Sequence, residues 1–95
     1  MTERIYWPDK DPDEILDFGF DWSTTLGTDA ISTSTWIITG PDSLLLNNSN
    51  SFTTATTTIW LKNGTAGGIY EITNRITTSG TRTYDQTAVV LIKEN

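Results

Sequence analysis

Residues 56–76, TTTIWLKNGTAGGIYEITNRI, constrain this chain more than any other stretch. Ile59 and Leu61 alternate with Thr58, Trp60 and Lys62. Further on, Tyr70, Ile72 and Ile76 fall on one side of the chain, with Glu71, Thr73, Arg75 and Thr77 on the other. Successive side chains of a strand point to opposite faces, so this period-two pattern, rich in β-branched residues, reads as two half-buried strands. Between them lies Asn63-Gly64-Thr65-Ala66-Gly67-Gly68, built from residues that tolerate positive φ. A Gly-rich corner with a Tyr just past it reads as the corner of a β-sandwich, in preference to an ordinary hairpin in another all-β fold.

The remaining chain repeats the same pattern. In residues 15–23, Leu16, Phe18, Phe20 and Trp22 share one face, and Asp17, Gly19 and Asp21 the other, which predicts a strand; Gly19 and the aromatics argue against a helix. Residues 24–29 read as a turn through Gly27. Residues 30–39 predict a strand with Ile31, Thr33, Thr35 and Ile37 on one face and Ser32, Ser34, Trp36 and Ile38 on the other, Trp36 and Ile38 being buried. Leu44-Leu45-Leu46 reads as a short strand or apolar plug, residues 47–51 as a polar turn cluster, and residues 52–55 as a brief edge strand. The last strand, residues 82–93, places Tyr84, Ala88, Val90 and Ile92 on one face. Val89 and Leu91 lie on the other, so its end is apolar on both sides. The expected fold is all-β, an Ig-like Greek-key β-sandwich of six or seven strands with an extended N-terminal arm. At 95 residues the chain is one domain, with a thin core.

The first residues differ from the rest. The net charge is -6, and residues 1–29, with eight acidic and two basic side chains, carry all of it. Pro8 and Pro12 favour extended geometry around them. Residues 1–14 therefore read as an extended arm with an aromatic anchor, Ile5-Tyr6-Trp7, and residues 15–95 as the sandwich domain. Ile5 and Trp7 form a short first strand over the core edge, or the arm docks on a neighbouring subunit, or it is disordered. Ile5, Tyr6 and Trp7, with Val89 and Leu91 of the doubly apolar last strand, are the candidate protein-interface residues.

Composition narrows the chemistry. The chain has no Cys and no His, which removes disulfides, Cys-ligated zinc, thiol chemistry and the commonest acid–base group near neutral pH. Residues 9–20 begin like a calcium loop, but Glu14 stands where Gly is needed and Phe20 where the bidentate acid belongs. The corner glycines lack the Gly-Lys-Ser/Thr ending of a phosphate loop. Asp17, Asp21, Glu71 and Asp85 would have to converge in a cleft to act as paired carboxylates. The expectation is no enzyme activity, no catalytic residues, no metal and no cofactor. Scattered Lys and Arg in an acidic chain argue against nucleic acid and against an anionic membrane. No apolar run reaches the length of a spanning helix, and the N-terminus lacks the plan of a signal peptide, so synthesis in the cytoplasm is expected. Exposed Trp60 could stack a sugar or simply cover a sheet face.

Four segments together, KDPDEILDFGFDWS at 10–23, ISTSTWII at 31–38, the stretch 56–80 and the closing YDQTAVVLIKEN, resemble small virion proteins of tailed bacteriophages, the phage fibre–tail adaptor family. The resemblance implies an Ig-like structural protein that joins tail fibres or spikes to the tail or head–tail region. Its implied partners are other tail or head–tail proteins and fibres, in symmetric multi-copy assembly in the virion. Two other roles fit the residues: a capsid decoration protein, and a carbohydrate-binding module for host attachment.

Overall fold

The two strands of the 56–76 stretch lie in different sheets. A computed structural model of the chain describes residues 5–94. In order, its elements are β1 (Ile5–Tyr6), β2 (Leu16–Asp21), a one-turn helix α1 (Ser23–Leu26), β3 (Ile31–Thr39), β4 (Leu45–Phe52), β5 (Thr56–Asn63), β6 (Ile69–Thr78) and β7 (Thr83–Leu91). One sheet has the order β1-β7-β6-β3 and the other β2-β5-β4. β1 runs parallel to β7; the other pairings are antiparallel. The protein is thus all-β with two sheets, and the chain crosses from one to the other at the 64–68 corner.

The corner has local causes. Asn63, Gly64 and Gly67 have φ of 66°, 102° and 85°, the left-handed region that Gly enters without a Cβ clash and Asn enters more readily than most residues. The Tyr70 hydroxyl accepts the Thr65 amide at 3.0 Å and donates to Asp42 Oδ1 at 2.6 Å. Thr65 Oγ1 donates to Asp42 Oδ2 at 2.7 Å, so one carboxylate ties the 40–44 turn to the 64–68 corner. These bonds hold the Asp42 carboxyl below the usual range, the Tyr70 hydroxyl contributing most. Gly40 lies flat on the Tyr70 ring, where a Cβ would meet Cδ2 at 2.3 Å.

The core between the sheets has two parts. One contains Phe18, Leu45, Ile59, Leu61, Tyr70, Ile72, Val90 and Ile92, the other Phe20, Trp22, Leu26, Ile31, Ile76 and Ala88. Trp7 and Trp36 pack against both. Asn74, fully buried among these apolar side chains, has its amide satisfied on every side. Its oxygen accepts Trp22 Nε1 and Thr57 Oγ1, and its nitrogen donates to Ser34 Oγ and the Thr35 carbonyl. Those bonds join Trp22, just past β2, with β5, β6 and β3, and so cross between the sheets.

Four details depart from the sequence expectation. The residues read as plug, turn and edge strand form one strand, β4, because its backbone pairs with β5 from Leu45↔Asn63 to Phe52↔Thr57. A register shift between Asn47 and Ser49 absorbs Asn48. A second shift, between Ile31 and Thr33, turns Ile31 inward to join the buried cluster rather than the outer face with Thr33. Trp36 and Ile38 do face the core but are half-buried rather than buried. Finally, residues 23–26, read within the end of a strand and a turn, make one helical turn that buries Leu26.

Candidate functional site: a groove beside the first strand

β7 is the middle of the site. Its outward residues Val89 and Leu91 stand two apart on one face, with Tyr6 of β1 paired across from Val89 and Ile69 of β6 across from Leu91. The side chains form a groove of about 410 Å³ lined by Tyr6, Trp7, Asp9, Ile69, Val89 and Leu91. Its walls are exposed: Tyr6 is 71% accessible and Ile69 59%. Val89, on the floor, is buried and Leu91 half-buried.

The chain before β2 is held against β7 by a run of backbone bonds. Ile5 and Tyr6 pair with Ala88 and Val89, the Trp7 amide donates to the Val89 carbonyl, and the Lys10 amide to the Leu91 carbonyl. Lys93 then donates to the Lys10 carbonyl at 2.8 Å. Trp7 turns the other way from Tyr6, into the sandwich. Its ring stacks on Phe18 at 4.8 Å and lies 5.2 Å from Phe20. Phe20 stacks in turn on Trp36 at 5.8 Å.

Lys10 closes the segment from below. It is fully buried, and its ammonium donates to the carbonyls of Asn63 and Asp11 at 2.8 and 2.9 Å. The first of these bonds reaches the left-handed residue that opens the corner. Burial lowers the Lys10 pKa, against the opposite pull of Glu14, Asp11 and Asp13. Asp11 organises the next turn, its Oδ1 accepting the Asp13 amide while its own amide donates to Glu14 Oε1. Asp9 at the groove has no hydrogen-bond or ion-pair partner among the described residues.

Of the five residues selected from sequence, Tyr6, Trp7, Val89 and Leu91 therefore meet in one groove. Ile5 does not line it; paired with Ala88, it packs half-buried against the core. The part of the 1–14 segment before Ile5 lies outside the described residues. Ile69 and Asp9 complete the groove and were not selected. Ile69 carried a signal: it lies on the Glu71 and Thr73 face, where an isoleucine is out of place on a polar surface. Trp60 lies on the outer face of the other sheet, across from Asp17 and Ser49, far from the groove in the topology and half-exposed. The calcium-like opening at residue 9 is a set of local turns, and no group of three or more His, Cys, Asp or Glu suited to a metal occurs among the described residues.

Fold and groove together define a small β-sandwich with an apolar groove on the outer face of one sheet. The family model described as Podophage GP4 fiber-tail adaptor protein gp77 matches residues 10–91, and the chain belongs to that family. The match bears out the resemblance drawn from the four segments. It spans β2 to β7, and with them Ile69, Val89 and Leu91, while Tyr6, Trp7 and Asp9 precede it. No curated protein matches the chain. The chain is thus a phage structural protein of a fibre–tail adaptor family. Among the described residues no helix is long and apolar enough to cross a membrane.

Proposed function

We propose that the protein is a non-enzymatic part of a tailed-phage virion. It is made in the host cytoplasm and joins tail fibres or spikes to the tail or head–tail region. A neighbouring virion protein docks in the groove on the outer face of β1, β7 and β6. The observation that carries this reading is the convergence of Tyr6, Trp7, Val89 and Leu91, with Ile69, on one apolar depression. Aromatic and large aliphatic side chains in such depressions supply most of the energy of protein interfaces.

Residues 1–14 then serve two purposes in relation to the domain of residues 15–95. Their inner side chains, Trp7 and Lys10, complete its core, and their outer ones, Tyr6 and Asp9, belong to the interface. The strand order β7-β6-β3 over β2-β5-β4, with a Tyr hydroxyl bonded back across the β5–β6 corner, supports an Ig-like reading of the sandwich. Copies repeated around the tail axis would share heterologous contacts and close into a ring.

The test is complementation of phage that lack this protein. Ile69→Asp alters an exposed wall of the groove, and Trp60→Ala, on the other sheet, is the control. The expected result is particles with about tenfold less fibre for Ile69→Asp and a normal complement for Trp60→Ala. A full fibre complement with Ile69→Asp refutes the docking site.

A further inference from the structure

We infer that the groove's occupant is an extended segment of a partner protein in which a large apolar residue is followed closely by a Lys or Arg. The inference rests on the docking reading above and adds the chemistry of the ligand. The floor and walls, Val89, Leu91, Tyr6 and Ile69, select an apolar side chain, and the volume of about 410 Å³ has room for one together with its flanking backbone. Asp9 sets the charge. Its carboxylate lines the same groove and has no partner among the described residues. The nearest cation in sequence, Lys10, does not neutralise it, because that ammonium is buried beneath the segment on the Asn63 and Asp11 carbonyls.

Most of the surroundings have the same sign, the exception being exposed Lys93, whose amide donates to the Lys10 carbonyl. Asp11, Asp13 and Glu14 follow Asp9 within one turn, and Glu71 lies on the groove face opposite Val89. Residues 1–29 carry the whole net negative charge of the chain. An acidic occupant would meet Asp9 and its acidic neighbours, and a neutral one would leave Asp9 desolvated with no counter-ion among the described residues. A cation beside the apolar anchor satisfies both conditions. It also predicts a salt-sensitive encounter, since exposed charges are screened over about 10 Å at 0.1 M salt.

The experiment is selection of a random linear peptide library on the immobilised full-length chain, followed by titration of the recovered peptides. The expected peptides carry Lys or Arg within a residue or two of Leu, Ile, Phe or Trp. Ile69→Asp should weaken their binding about tenfold or more. Asp9→Asn should weaken it about two- to five-fold and reduce its salt dependence. Both altered side chains are exposed, so circular dichroism should show both variants folded. The inference is overturned by recovered peptides that are acidic or uncharged, by affinities that neither variant changes, or by a selection that yields no groove-dependent peptide. It is also overturned by a dimer in sedimentation equilibrium that Ile69→Asp abolishes, because the occupant would then be a second copy. Loss of fibres from Ile69→Asp particles together with peptides lacking a cation would remove this inference and leave the adaptor reading standing.

Discussion

Tyr6 and Trp7 are neighbours in sequence with opposite surroundings, and replacing each with Ala separates the structural role of the first segment from its binding role. Tyr6 is 71% exposed, so Tyr6→Ala should change stability by no more than about 0.5 kcal/mol, as for other surface positions. The Trp7 ring stacks on Phe18 at 4.8 Å, touches Phe20 and Trp36, and packs against both parts of the core. Removal of a large aromatic from such a site costs about 3–5 kcal/mol. Trp7 is only half-buried, so the lower end of that range applies. Against a total stability of about 5–15 kcal/mol for a domain, that is a large fraction. At about 4–8 °C per kcal/mol for a domain of this size, Trp7→Ala should lower Tm by more than about 10 °C while Tyr6→Ala leaves it within a few degrees. Differential scanning calorimetry, with urea titration followed by circular dichroism, reads both. If Trp7→Ala costs less than about 1 kcal/mol, the segment is not part of the core, and residues 1–14 are a separable arm.

Three further predictions concern the scaffold. Tyr70→Phe leaves Asp42 and the Thr65 amide without their buried partner, and should cost about 1.5–3 kcal/mol in urea denaturation and move the Asp42 pKa upward in an NMR titration. Gly40→Ala should cost about 1–3 kcal/mol, since its Cβ falls on the Tyr70 ring. Stability should fall in acid. Asp29 is held below the usual carboxylate range by the Thr78 hydroxyl, the Ala30 amide, the Ser79 hydroxyl and the Gly80 amide, Asp42 chiefly by Tyr70, and Asp85 chiefly by Arg75. Folded values below the unfolded ones give stability that is fully present above about pH 4 and is lost as pH falls through the folded values; urea midpoints that stay flat from pH 5 to pH 2 would contradict this, the pH limits being about one to two units either side of the unfolded carboxylate value.

Sequence pattern exposed what depends on alternation and on glycine. Phe18, Phe20 and Trp22 face inward and Asp17 and Asp21 outward, because β2 is regular throughout. The 64–68 corner was legible because few residues other than Gly and Asn turn the chain that way. Irregularities of register were not legible. Nothing about Ser32 announces the shift that turns Ile31 inward, and the polar run 47–51 has the composition of a turn yet is held as strand by its pairing with β5. Lys10 could not be recognised as buried, since lysine is rarely so; only the carbonyls of Asn63 and Asp11, brought together by the fold, make its position tenable. Asn74 likewise sits on the apolar face of β6, and its role depends on Trp22 and on partners from two other strands, β5 and β3. For the groove, apolarity on both faces of the last strand pointed to Val89 and Leu91. Its width came from tertiary pairing, which set Tyr6 on one side of β7 and Ile69 on the other.

The most direct measurement of the docking claim is site-specific photo-crosslinking in assembling particles. A benzoylphenylalanine would replace Tyr6 at the groove in one variant and Trp60 on the opposite sheet in another, with the cross-linked products identified by mass spectrometry. The account predicts that position 6 captures another tail or fibre protein, through a residue flanked by an apolar side chain and a Lys or Arg, and that position 60 captures none. Capture at position 60 with none at position 6 would contradict it.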